Sequence, residues 1–473
     1  MKKYQTIACI IFLLIQTSIL IYFHNRFWSA ADEGQLAQVA QRVTHGEILF
    51  RDVHDSHPGY IHWLNAFSMR IFGEDFVSLR YPAAFIVFVE GCLVFLLFSS
   101  PSPWLAVVAG LCPAVLSFVH YPGPSHHWYA LFFTALIAVV LSHTGLEKRR
   151  QSFGAGILAA TVFLFRQLTG VFVFMAVISF FLLEASEKRK TKLKIKDALL
   201  FYILSGMILA GMAFYLARAA DVFGFLTFGV WPMLLAGWIL AARSASNKDV
   251  GERMKCFLPG VAAGFLPLLV QQGLQGTLGA WFEDSVIGAF YTYQNKIPWN
   301  YDYAVLWQAA WQNIFAPQSL VQFINSLYWV LLFSLSVING ILLLVYIKRN
   351  EAKTVSTIAL PLIASFYSVV AVHFQVPVYL YFTTGLSAVA VLWWMVVLKP
   401  RAWIQGLAAG SVIFLLAVSL CCHAAQPLTR SIDDLLSGAK SPLVRAGEEL
   451  KGKHLWIDPD DLAEYTRIMR MKD

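Results

Sequence analysis

Apolar runs long enough to cross a bilayer recur from near the start of the chain to about residue 421, separated by short polar or basic stretches. A spanning helix needs about 20 such residues. By that measure helices are expected near 5–23, 82–99, 103–119, 128–143, 153–167, 169–184, 199–217, 222–242, 257–275, 321–347, 355–373, 376–398 and 402–421, about 13 spans in all. The fold class is therefore an all-α polytopic membrane protein. Composition agrees: 58% of residues are hydrophobic and 14% charged, with mean hydropathy +0.61, whereas soluble domains are nearer half apolar and a quarter charged.

The net charge of +8 would also suit a nucleic-acid binder, but the Lys and Arg residues gather between apolar runs, as in the cytoplasmic loops of membrane proteins. Membrane lipids, and no nucleic acid, are the expected surroundings. "MKK", "EKRR" (147–150), "EKRKTKLKIK" (187–196), "RSASNKDVGERMK" (243–255), "KRNEAK" (348–353) and "KPR" (399–401) all fall on one side if the spans alternate. That places the N-terminus in the cytoplasm of a plasma (inner) membrane protein. The start also fits a secretory signal, with Ser29 and Ala31 before a cleavage point. The length of its apolar run and the bulky "HNRFW" flank favour an uncleaved first helix.

The stretch 153–184 tests this parity, because about 31 residues of helix would be about 46 Å long against a core of about 30 Å. Both flanks are basic. The segment must be a hairpin turning at "FRQLTG" (165–170), which makes Arg166 exoplasmic. Parity also makes Asp32 and Glu33 exoplasmic, within a loop 24–81, and leaves a second exoplasmic loop at 276–320. The expected organisation is a transmembrane domain, 1–421, and a short exoplasmic tail, 422–473.

In the first loop, Leu36, Val39, Ala40 and Val43 recur at helical spacing, as do Tyr60, Trp63, Leu64, Phe67 and Ile71 after "HPG". Both stretches read as helices lying on the membrane surface. Between them "GEILFRDVHDSHPGY" (46–60) concentrates Arg51, Asp52, His54, Asp55 and His57 at headgroup level.

The order of these pieces resembles the first exoplasmic loop of the lipid-phosphosugar-dependent GT-C glycosyltransferases, which include protein O-mannosyltransferase-like and aminoarabinose-transferase-like enzymes. The matching residues are Asp32, Glu33, Arg42, Gly46, Arg51, Asp52, His57, Pro58, Phe72, Gly73, Arg80 and Pro82. Weaker similarity continues in "GAGILAATVFLFRQLTGVFVF" and in "FEDSVIGAFYTY" (282–293). Where many members carry an exoplasmic acid between the third and fourth spans, this chain has "HYPGPSHHWYALFF", with His126 and His127. The resemblance implies transfer of a sugar from a polyprenyl-phosphate donor to a glycan, lipid or protein acceptor, with Asp32 as base and His57 facing the lipid phosphate.

The residues suit that chemistry. A phosphate ester leaves as an anion and needs little protonation, so the demands are a base for the acceptor hydroxyl and cations for the phosphate. Arg51, His57, Arg80, Arg166 and Lys296 are candidates for the second demand. Asp52, Asp55 and His127 complete the expected substrate-binding set, with Asp32 and Glu33 as the catalytic pair. The plain alternative for Asp32 and Glu33 is that they open a helix and complement its dipole, worth about 0.3–1 kcal/mol. Arg80 stands at a span end, where reaching for headgroups is the default.

The six cysteines form no CxxC pair, and adjacent histidines rarely face one ion together, so no metal site is expected from Cys or His. A divalent cation held by Asp32, Asp52 and Asp55 stays open. Two rival functions also stay open: a lipid-linked glycan polymerase, and a transporter or flippase without covalent chemistry. The latter calls for charges near helix midpoints and paired broken helices.

Overall fold

The structure is a computed structural model; it describes residues 2–26, 30–143, 145–187, 193–288, 303–349 and 355–421. The described residues are all-helical apart from one isolated bridge between Leu49 and Val53. Helices occupy all 13 expected segments. Eleven of these helices are long and apolar enough to cross a membrane. Of the other two, α6 (His126–Ser142) is shorter, and α7 (Lys148–Phe165) opens on the basic run Lys148, Arg149, Arg150. The chain is a multi-pass membrane protein.

The helix ends sort into two groups as strict alternation requires. At one end lie the basic connections: Arg253 donates to the Lys148 carbonyl at 2.7 Å and pairs with Glu184, and Asn247 donates to the Lys196 carbonyl at 3.0 Å. Gln5, in α1 (Lys2–Phe23), reaches the Ser99 carbonyl at the end of α4 (Arg80–Ser99) on the same side. The opposite end carries the first loop. The expected hairpin is present but tighter than a loop: α7 stops at Phe165, Arg166 alone is extended (φ −153°, ψ 110°), and α8 (Gln167–Glu187) begins at the next residue.

Small residues set how closely the helices pack. A Cβ at Gly260 would collide with the Phe153 carbonyl, and one at Gly156 with the Phe257 carbonyl. The glycine-rich α7 thus crosses the helix Asn247–Gln275 backbone to backbone. Dispersion between close-packed surfaces drives such association, since lipid is as apolar as a Leu-rich interface. The span α5 (Pro103–Cys112) continues through a π-helical turn, Pro113–Ser117, and a 3₁₀ turn, Phe118–His120, before Tyr121 leaves it. Such turns re-aim the residues that follow.

Both helices expected in the first loop are present, as α2 (Ala30–Thr44) and α3 (Tyr60–Phe72), but their stripes face different ways. Leu36, Val39 and Ala40 of α2 are buried in protein, whereas Phe67 and Ile71 of α3 are 60% and 55% exposed. The inward face of α3 is instead polar, with His62, Asn65 and Ser68 buried. In lipid an apolar face is stable outside and polar groups must find partners inside. Between the two helices, Leu49, Phe50 and Val53 plug into a small apolar cluster with Leu164, Leu268 and Trp281. Gly59, at φ +114°, gives the left-handed step into α3.

Candidate functional site

The acidic pair opens α2, and its two members have different surroundings. Glu33 is buried and takes a two-pronged ion pair from Arg80, with Nε donating to Oε2 at 2.9 Å and Nη2 to Oε1 at 2.6 Å. The remaining prong, Nη1, donates to the carbonyls of His24 (3.0 Å) and Arg26 (2.6 Å). Arg80 is fully buried, so its guanidinium fixes the chain between α1 and α2 and does not face outward. Asp32 is exposed, and the Tyr121 hydroxyl donates to its Oδ2 at 2.8 Å. Sequence spacing alone gave no sign of Tyr121, which lies 89 positions away and reaches Asp32 because the irregular end of the third span aims it there.

From Tyr121 a run of ring contacts leads across the same end of the bundle. Tyr121 meets Phe382 edge-on, Phe382 stacks on His127 at 3.6 Å, and His127 meets the Tyr379 ring at 5.1 Å. The Arg166 guanidinium lies over Tyr379, 5.2 Å from its centroid. Arg166 is 5% exposed and donates to Thr169 Oγ1 at 3.0 Å. Among the described residues no carboxylate pairs with it. A buried cation without a counter-charge is costly and calls for an anion or for water.

The polar cluster of the first loop joins this region through His57, whose ring lies 4.4 Å from that of His126. His57 Nδ1 and the His57 backbone N–H both approach Asp55 Oδ1, at 2.5 and 2.7 Å, while Gln35 donates to Oδ2 at 3.1 Å. Burial alone would raise the Asp55 carboxyl, but the charges of His62 and His57 outweigh it and hold the group well below its ordinary range. Arg51 and Asp52 point elsewhere: they pair with each other at 3.0 Å on the exposed loop. The hydrogen bond from Arg51, then the one from the Ile48 N–H, hold the Asp52 carboxyl down to about 2. That pair carries no net charge at neutral pH.

The stretch after the helix Asn247–Gln275 closes over the first loop. His54 Nδ1 lies 2.7 Å from Asp284 Oδ2, and Trp281 Nε1 donates to the Pro58 carbonyl at 3.1 Å. Gln167, the first residue of α8, donates to both the Ser56 and the Ser285 carbonyls at 2.7 Å. A cleft of about 440 Å³ lies between the loops, lined by His54, Asp55, Ser56, Glu283, Asp284 and Ile287. Asp32, Asp55, His57, His127 and Arg166 are thus linked to one end of the bundle, while Arg51 and Asp52 neutralise each other and Arg80 serves Glu33. Lys296 and the 422–473 tail lie outside the described residues. The expected acidic cation set of Asp32, Asp52 and Asp55 has its members in three different hydrogen-bond environments.

Residues 56–222 match the family model described as dolichyl-phosphate-mannose-protein mannosyltransferase. The match takes in His57, the polar face of α3, Tyr121, His127 and Arg166, and begins after Asp32 and Glu33. The resemblance read in the first loop is to the same kind of enzyme. Among solved structures, the chain is similar to ArnT from Cupriavidus metallidurans, in a crystal structure bound to undecaprenyl phosphate. The identity is 12%, over 80% of this chain and 77% of that chain, with a TM-score of 0.32. No curated protein matches the chain.

Proposed function

We propose that the protein is a membrane glycosyltransferase that moves a sugar from a polyprenyl-phosphate donor to an acceptor hydroxyl on the exoplasmic face of the plasma (inner) membrane. The observation that carries this reading is the separation of charges at one end of the bundle. An exposed carboxylate, Asp32, stands beside a site whose buried cation, Arg166, has no carboxylate among the described residues. The matched mannosyltransferase family supports it.

In this reading Asp32 takes the proton of the acceptor hydroxyl, and the freed oxygen attacks the anomeric carbon. The bond from that carbon to the phosphate oxygen breaks, and its electron pair leaves on the phosphate. Arg166 meets that charge, with His57 and His127 on the same side of the site. A single displacement inverts the anomeric centre. Tyr121 holds Asp32 by its hydroxyl, and Glu33 with Arg80 fixes the start of α2, so these are positioning residues.

Glu90, midway along α4 and buried, is the residue that suits a transporter. The placing of Asp32, His57 and Arg166 at helix ends and in loops favours an interfacial enzyme instead. The test is transfer by purified protein in vesicles supplied with radiolabelled polyprenyl-phosphate sugars and membrane extract. Label should move to an acceptor with wild type and be lost with Asp32→Asn. Transfer retained in that variant removes Asp32 as base; no transfer from any donor, together with substrate flux, replaces the enzyme by a transporter.

A further inference from the structure

The cluster behind His57 has more nitrogen and oxygen donors than hydrogen bonds to satisfy them. His62 is fully buried on the inward face of α3, and neither of its ring nitrogens has a hydrogen-bond partner among the described residues. Its Nε2 stands 3.2 Å from Asp55 Oδ1, close enough for contact but at an angle that makes no hydrogen bond. One turn further along the same face, Asn65 is also fully buried, with both amide atoms unpartnered. Buried polar groups are nearly always satisfied, so this set calls for an occupant.

We propose that Asp55, His57 and His62 form a binding site for one divalent transition-metal ion of the zinc class. One ligand atom from each residue lies within 4.8 Å of the others. Zinc bonds to imidazole nitrogen and carboxylate oxygen run about 2.0–2.2 Å, which spaces tetrahedral ligand atoms about 3.3 Å apart. The 3.2 Å between His62 and Asp55 already has that spacing. The 2.5 Å between His57 Nδ1 and Asp55 Oδ1 is a hydrogen bond, and it opens by under about 1 Å when the ion replaces the shared proton.

Two imidazoles and one carboxylate suit zinc, cobalt or nickel; magnesium and calcium favour all-oxygen shells. Gln35, donating to Asp55 Oδ2 at 3.1 Å, orients the carboxylate from outside the ligand set. Three protein ligands leave a fourth position open. Asp55 also lines the cleft between the two loops, which gives the ion a route in. If the proposed transfer reaction holds, the ion adds positive charge beside His57, on the donor-phosphate side of the site; the binding itself does not depend on that reading.

The test uses the full chain, with its affinity tag removed, stripped by chelator and then given one equivalent of Zn²⁺. Bound metal is counted by mass spectrometry after gel filtration, and Co²⁺ is added in parallel to read the visible band of a tetrahedral site. Wild type should retain about one ion per chain, and His62→Gln and Asp55→Asn, each of which removes a ligand, should lose more affinity than the roughly 10- to 100-fold that a substitution outside the ligand set such as Gln35→Leu costs. His45→Gln, which removes an exposed histidine paired with Glu74, should bind as wild type does. Elution profile and melting temperature check that each variant is folded, and the Co²⁺ band of the wild type is read without any substitution. Wild type that holds no stoichiometric ion and gives no Co²⁺ band overturns the site, as does equal binding by a folded His62→Gln. Sugar transfer without metal retention sinks this inference and leaves the proposed function standing; metal retention without transfer does the reverse.

Discussion

Removing either member of the Glu33–Arg80 pair should unfold the start of α2 far more readily than removing Asp32 next to it. Both partners are nearly inaccessible, at 2% and 0% exposure, and two charge-assisted hydrogen bonds of 2.9 and 2.6 Å join them. Breaking a buried pair strands a desolvated charge and costs about 3–5 kcal/mol. Glu33→Gln keeps one oxygen able to accept from Arg80, so its loss should lie near 3 kcal/mol, while Glu33→Ala should lie near 5 kcal/mol. A loss of 3 kcal/mol is over 100-fold in the folding constant. The double variant Glu33→Leu/Arg80→Met, which removes both charges, should recover most of it. Denaturant titration in detergent, followed by tryptophan fluorescence, of wild type, Glu33→Leu, Arg80→Met and the double variant gives the four free energies of the cycle. Single variants within about 0.5 kcal/mol of wild type, or a coupling near zero, would refute the structural role given to Glu33.

Asp32→Asn, at an exposed position, should change stability by no more than about 0.5 kcal/mol while abolishing transfer. Tyr121→Phe deletes an exposed hydrogen bond to Asp32, so it should cost about 0.5–1.5 kcal/mol of stability at most and slow transfer by about 10- to 100-fold, read by thermal melting and transfer assay side by side. Arg166→Leu should raise stability or leave it unchanged, since it removes a buried cation with no carboxylate among the described residues, yet it should abolish donor use. Titration of the lipid phosphate against both forms by fluorescence checks that split. Gly260→Val should destabilise the crossing with α7 by about 1–3 kcal/mol or more, because the group it meets is the Phe153 carbonyl and backbone cannot move aside; thermal melting measures it.

The 13 segments and the hairpin at Arg166 were legible because length and charge decide them without any tertiary term. The direction of a stripe was not legible. Apolar surface in this chain packs inward on α2 and is exposed on α3, and the same spacing serves both. The reading of α3 as a helix lying on the membrane surface fits its exposed Phe67 and Ile71 but says nothing of its inward face, which His62, Asn65 and Ser68 mark in the sequence itself. Asp32 and His57 stand out in the sequence by their order along the loop, and the structure gives them their contacts with Tyr121 and Asp55. That Glu33 and Arg80 are joined, 47 positions apart, and that Arg51 is joined to its neighbour Asp52, are facts of side-chain geometry. Cations at span ends look alike in sequence whether they await a ligand or already hold a carboxylate.

A site built from loops is useful only if the loops are held still, and here irregular backbone is pinned by single long-range contacts. Gln167 stands where α8 begins and bonds one carbonyl from each of the two loops, so the hairpin that buries Arg166 also sets the distance between them. Trp281 and Ser285 reach back to the carbonyls of Pro58 and His57, which fixes the turn entering α3. The apolar plug of Leu49, Phe50 and Val53 supplies the remaining restraint from beneath. Preorganised charges stabilise a developing anion without reorganising at the moment of reaction. The helices therefore do more than anchor the chain: their ends at this face hold Asp32 against Tyr121, His57 against His126 and Arg166 against Tyr379, which is the frame the proposed transfer requires.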